Sequence, residues 1–261
     1  MKKFFSICAL GCLLSIPLPA ASKVGGKQTP QTTVSQQKGL FDVVYTGNEW
    51  FFYVPDSLLS REFLVTVRYA STPANTNQYG GELVNEQTVY FQKAPGNKLL
   101  LRSRLLVNTA DSVDAINKAI VISNTDPIIG SFKIESVERN RYKIKVGSFF
   151  LEDNPAIGVT QQVKRSMGLQ VLLGASSFIE SIKSFPMNTE IRMVKTWMSS
   201  QSNNYAAAST GKVTLGLNVS FVLLPKVPMQ RRLFDPRVGY FADSFTYFSD
   251  NQQLSLIHIS E

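Results

Sequence analysis

Three features of the sequence predict a β-rich α+β fold, with antiparallel hairpins and sheets and a few short helices. Apolar residues recur mostly at every second position, turn residues separate these runs at short intervals, and few stretches show helical spacing. The first strands come from LFDVVYTGNEWFFYVP, two runs around a Gly47-Asn48 turn, with Pro55 closing the second. REFLVTVRYA predicts another strand. LVNEQTVYFQKAPGNKLLLRSRLL predicts a hairpin turning at Ala94-Pro95-Gly96-Asn97, in which Val89, Phe91, Leu99 and Leu101 alternate as one sheet face requires. DSVDAINKAIVIS breaks the rhythm. Val113, Ile116 and Ile120 lie three and four residues apart behind Asp111 or Ser112 as N-cap, so this stretch predicts a helix. SFKIESVERNRYKIKVGSFF returns to a hairpin at Arg139-Asn140. PAIGVTQQVKRSMGL and SSFIESIKSF read as short helices or turns. TEIRMVKTWMSS and GKVTLGLNVSFVLLP read as long strands, joined by QSNNYAAAST as an exposed, mobile loop.

The N-terminus is organised differently. Lys2 and Lys3 precede an apolar run over 4–18, followed by the small residues Ala20, Ala21 and Ser22. This is the pattern of a secretory signal peptide over 1–22; the run is short for a membrane span and Pro17 interrupts it. ALGC, ending at Cys12, offers a lipoprotein signal as the alternative. The expectation is export to the periplasm, cell surface or extracellular space, with no transmembrane helix after cleavage. Both cysteines, Cys8 and Cys12, fall inside the leader, so the mature chain would carry no disulfide or thiolate chemistry. The net charge is +8 with the leader included. That modest excess is spread along the chain and reads as a solvated basic surface, not a nucleic-acid site. Residues 23–38 are polar and rich in Gln, Thr and Gly, and read as a flexible linker. A small N-terminal β region follows over 39–70 and a main β-rich domain over 71–241.

The composition also limits the chemistry. Serine or cysteine nucleophiles need a base, usually histidine, and zinc needs His, Cys or carboxylate ligands at fixed spacing. The single histidine is His258, close to the last residue, and the sequence contains no P-loop or G-x-G-x-x-G. Glu82 with Glu86, and Glu152 with Asp153, are the carboxylate pairs open to acid–base work. Their contexts, a strand edge and a turn, favour surface charge instead. Trp50, Phe51, Phe52 and Tyr53 suggest either a sugar-stacking platform or core, and alternation places at least half of them inside. The most pointed stretch is VLLPKVPMQRRLFDPRVGYF. Arg232, Asp235 and Arg237 alternate there with Phe234, Val238 and Tyr240, mixing apolar anchors with charges as a docking segment does. Asp235-Pro236 starts a turn, and Arg237 is placed for a bidentate pair with a carboxylate.

Over 39–241 the sequence resembles the N-terminal part of a bacterial family of large, secreted, zinc-dependent metalloproteases. The resemblance is carried by GLFDVVYTGNEWFFYVPDSLLSREFLVTVR, GGELVNEQTVYFQK, NKLLLRS, SFFLEDNPAIGV, SFIESIKSFPMNTEIR and LLPKVPMQRRLFDPRVGYF, in that order. It implies that these residues form non-catalytic domains of unknown function. A metzincin-like catalytic domain with the H-E-x-x-H-x-x-G-x-x-H zinc motif then lies C-terminal to them. No catalytic or metal-binding residue carries over to this chain. Zinc is expected in the peptidase domain, which becomes the partner of Arg232, Phe234, Asp235, Arg237, Val238 and Tyr240. Residues 242–253 then begin the continuation toward that domain. LSLIHISE over 254–261 resembles the translation of a transposon-based sequencing-library adapter, which would remove His258 from the biological chain. The alternative function is a free-standing secreted β-rich module that binds a cell-surface glycan or peptide through exposed aromatics such as Trp50, Tyr53 or Tyr79.

Overall fold

The computed structural model describes residues 35–200, 204–230, 235, 237, 242–249 and 253–259. Its architecture follows from hairpins whose turns the sequence specifies. Ser35–Gln37 (β1) pairs with Asp42–Thr46 (β2), which turns into Glu49–Pro55 (β3). Gly47 and Asn48 both adopt positive φ, 58° and 62°, the two-residue turn whose twist matches the flanking strands. One 3-10 turn, Asp56–Leu58, leads to Glu62–Ser71 (β4), which pairs with Leu83–Ala94 (β5). Gly96 and Asn97 then turn the chain into Lys98–Ser103 (β6).

An excursion leaves the sheet after β6. It contains Asn108–Ala110 (β7) and the helix Ile116–Ser123 (α1), then returns to Ile128–Glu138 (β8). Arg139 and Asn140, again both at positive φ, turn β8 into Arg141–Lys145 (β9). Two short helices follow, Gly147–Leu151 (α2) and Gln161–Met167 (α3), then Leu169–Leu172 (β10) and Phe178–Ser184 (β11). Both of these strands pair with Asn188–Ser199 (β12). Tyr205–Thr210 (α4) connects β12 to Lys212–Leu223 (β13). The last elements are Ala242–Phe248 (β14) and Gln253–Ile259 (β15).

Twelve strands form one curled sheet in the order β1-β2-β3-β9-β8-β6-β5-β4-β13-β12-β10, with β11 beside β10 on the same edge of β12. Every pairing in it is antiparallel. The ends of the sheet approach each other. Leu40 N–H donates to Phe185 O at 2.7 Å, and Ser184 N–H donates to Gln37 Oε1 at 3.1 Å. Gly39 is required at that closure: a Cβ there would lie 2.7 Å from Phe185 N.

The curl encloses an aromatic core. The Phe41 ring centroid lies 5.3, 5.4, 5.7 and 6.0 Å from those of Phe52, Phe63, Phe91 and Phe221. Phe149 and Phe150 of α2 extend the cluster toward Phe132. These rings come from strands at both ends of the order and from its middle, so the core is common to the whole sheet.

A separate three-stranded sheet, β15-β14-β7, lies off the main one; its β7–β14 pairing is parallel. No described helix is long and apolar enough to cross a membrane.

Several sequence-based expectations need correction. Within SSFIESIKSF, Ser176 ends a 3-10 turn, but Phe178–Ser184 is strand β11, where Ile182 and Ser184 alternate with Lys183 and pair with β12. QSNNYAAAST is exposed at Tyr205 and over 208–210 as expected, but its described part is helix α4 and not a loop. Asn204 Oδ1 caps α4 by accepting from Ala207 N–H at 3.2 Å, and Asn204 and Ala207 are buried. Helix α1 begins at Ile116, not behind Asp111 or Ser112, and Ala115 supplies no side-chain cap. The 23–38 linker is shortened, since Ser35–Gln37 is strand. The proposed 39–70 and 71–241 regions share one sheet, with β4 between β5 and β13. The signal peptide lies outside the described residues. Backbone of Gln253–Ile259, within which most of the adapter-like stretch falls, pairs with β14. Such pairing is open to any non-proline sequence and is silent on the stretch's origin.

Candidate functional site

The docking segment named from sequence is described at two positions, Asp235 and Arg237; Arg232, Phe234, Val238 and Tyr240 lie outside the described residues. Arg237 makes the expected bidentate pair, Nε to Asp235 Oδ1 at 2.9 Å and Nη2 to Oδ2 at 2.5 Å. The carboxylate comes from its own turn, not from a partner, and the Arg237 side chain is 86% exposed. Arg237 holds the Asp235 carboxyl below its usual range.

Both carboxylate pairs have structural roles. Glu82 Oε2 accepts from Tyr79 N–H at 3.2 Å, and Glu86 is exposed on β5. Asp153 pairs with Lys164 at 2.7 Å, and the Glu152 backbone carbonyl accepts from Lys195 Nζ at 2.6 Å. The aromatic run divides by strand parity. Phe52 is core, Trp50 packs on the core and on Tyr45, and Phe51 and Tyr53 face outward beneath Lys143.

Two features are new at the structural level. The first is a polar cluster under the loop 152–160. On β12, Thr189, Ile191, Met193, Lys195 and Trp197 all face inward, so Lys195 occupies a core position. Burial lowers its amine to about 8; Lys164 adds to this, while Asp153 and Glu152 oppose it. Asn85, also buried, donates through Nδ2 to the carbonyls of Pro155, Ala156 and Gly158 at 2.7, 3.1 and 3.2 Å. The sequence signal was a lysine at an apolar position of a period-two strand.

The second is the excursion between β6 and β8, which forms the candidate interaction site. None of the residues of α1 is buried. Leu105, Leu106, Val107, Val113, Val121 and Ile122 are all exposed, Ile122 by 79%. Beneath the excursion is a cleft of about 430 Å³ bounded by Tyr90, Arg102, Arg104, Leu106 and Asn124.

Its attachment to the sheet is well defined. Asp126 accepts from Arg104 Nη1 at 2.8 Å, Tyr90 Oη at 2.9 Å and the Leu105 backbone N–H at 3.0 Å. Arg102 Nη1 donates to the Asp126 backbone carbonyl at 2.6 Å. Asp126 therefore fixes both ends of the excursion. Burial, with the hydrogen bond to Asp126, raises the Tyr90 hydroxyl above its ordinary value. Thr246 N–H of β14 donates to Val107 O at 2.9 Å, so the chain downstream of Asp235 and Arg237 attaches to this same excursion. The arrangement presents exposed apolar side chains on an excursion that Asp126 ties to the sheet. Among the described residues no group of three or more His, Cys, Asp or Glu side chains is placed to hold a metal ion.

Comparison with known proteins places the two parts of the sheet in separate families. A family described as a domain of unknown function (DUF5118) matches residues 27–72, and a second domain of unknown function (DUF5117) matches residues 81–256. No curated protein and no solved structure matches the chain. Since the second match spans well over half of the sequence, the chain belongs to the DUF5117 family.

Proposed function

We propose that this chain is the non-catalytic N-terminal region of an exported zinc-dependent metallopeptidase, and that it packs against and positions the peptidase domain of the same polypeptide. The observation that carries this reading is the excursion: an apolar surface with no covering element among the described residues, braced by Asp126 and joined by β14. Helices of a self-contained domain normally bury one face. Helix α1 buries none, which is the condition of an element completed by a partner. The resemblance over 39–241 supplies the identity of that partner, and with it the expectation that zinc belongs to the peptidase domain. The leader-like pattern over 1–22 supports export. The α+β label is part of the same reading, since the four short helices among the described residues sit in connections and do not alternate with parallel strands.

The test is hydrogen exchange over residues 104–124 in this chain and in the full-length polypeptide carrying the peptidase domain. Strong protection confined to the longer protein is the expected result. Equal exchange in both would refute the docking role.

A further inference from the structure

A different surface carries a binding site that is independent of the docking reading. On the outer face of β2, β3 and β9, Asp42, Tyr53 and Lys143 are cross-strand neighbours, forming a row of carboxylate, ring and ammonium. Beside that row is a cavity of about 550 Å³ lined by Lys38, Asp42, Tyr53, Glu138, Arg139 and Arg141. Asp42 is buried and holds Arg141 in an ion pair, which fixes one guanidinium at the wall. Ser136 Oγ donates to Glu138 Oε1 at 2.8 Å, which orients a second carboxylate. Lys38 and Arg139 have no ion-pair partner among the described residues.

Arg139 is the informative residue. It occupies the first corner of the β8–β9 turn at φ 49°, a conformation that favours Gly, Asn or Asp. An arginine there works against the turn, and its side chain lines the cavity.

We propose that this cavity binds an acidic saccharide, a chain of uronate sugars, with a sugar ring on Tyr53 and its carboxylate on Arg139, Arg141 and Lys38. The lining discriminates among anions. Asp42 and Glu138 repel a densely charged phosphate, yet both accept hydrogen bonds from sugar hydroxyls. The aromatic wall takes the apolar face of a pyranose, and the volume lies within the range of small-molecule sites. Three cations against two carboxylates leave one positive charge for the uronate.

The experiment is calorimetric titration of the full chain with trigalacturonate, its fully methyl-esterified form, and inositol hexakisphosphate. Saturable binding of trigalacturonate is expected, with the ester at least about tenfold weaker because its charge-assisted contacts are lost. Arg139→Asn should weaken binding about tenfold. Asparagine suits the turn, so this variant keeps or raises the melting temperature and a loss of binding is not a loss of fold. Tyr53→Ala should also weaken binding. The proposal is overturned by absence of saturable trigalacturonate binding, by equal affinity for acid and ester, by tighter binding of the phosphate, or by unaltered affinity in Arg139→Asn.

Discussion

At the scale of single residues, the core tolerates one group that ordinary packing would reject. Lys195 sits among Met193, Trp197 and their neighbours, and burial lowers its amine from 10.5 to about 8. Between pH 8 and 10.5 the unfolded chain holds a proton that the folded chain has released, so stability rises with pH through that window. Tyr69 acts in the opposite sense. Burial, with Glu82 nearby, raises its hydroxyl to about 12, so above pH 10 the unfolded chain loses its proton first and stability falls. Thermal melts from pH 7 to 11 should therefore show a rise and then a decline, and Lys195→Met should abolish the rise alone. Phe41, touching four other rings, sets the scale for ordinary packing: Phe41→Ala should cost about 3–5 kcal/mol in urea unfolding.

At the scale of elements, legibility followed the range of the interactions involved. Gly47-Asn48 specifies its turn through φ alone, Asn140 does the same for the β8–β9 turn despite Arg139 before it, and both hairpins were readable from sequence. The α3 helix was equally local, with Thr160 accepting from Val163 N–H and Gly168 in the left-handed region closing it. Strand β11 is the exception: its hairpin with β12 crosses only residues 185–187, yet Phe178, Ile179 and Ile182 carry the spacing of a helix face, which the pairing overrides. Helix α1 was found, but its apolar residues face outward, and spacing cannot say whether a stripe meets a core or remains uncovered. For the site, the sequence named Tyr53 and a bidentate carboxylate pair for Arg237, but not Asp235 as the carboxylate. It missed Asp126, whose role depends on Tyr90 and Arg104 being brought beside it by β5 and β6. Val121→Glu with Ile122→Glu should change the stability of this chain by less than about 0.5 kcal/mol, measured by denaturant melts, while raising its solubility. Gly39→Ala should behave oppositely, costing about 1–3 kcal/mol because the added methyl meets Phe185 backbone at the closure.

At the scale of the whole molecule, two families contribute to one sheet. The matches divide between residues 72 and 81, yet β3 lies beside β9, and β4 lies between β5 and β13. Without the second part, β3 loses β9 and β4 loses both of its neighbours, β5 and β13. A peptide spanning 33–76 should therefore show no amide dispersion alone in NMR, and should order only when the remainder is present.

The contact that closes the sheet, Leu40 against Phe185, has a consequence in time. It joins residues separated by more than half the chain, and the β4–β13 pairing, with Ser71 opposite Gly216, is as distant in sequence. High contact order of this kind slows folding, because loop closure must precede the contacts that reward it. During synthesis from the N-terminus, the β2–β3 hairpin emerges long before β9 or β11 exists. Phe41 and Phe52 gain Phe63 and Phe91 early, but their packing is complete only when Phe150 and then Phe221, on the last long strand β13, have been made. The nascent chain should depend on a holding chaperone through that interval, and its folding rate, not its final stability, should limit yield.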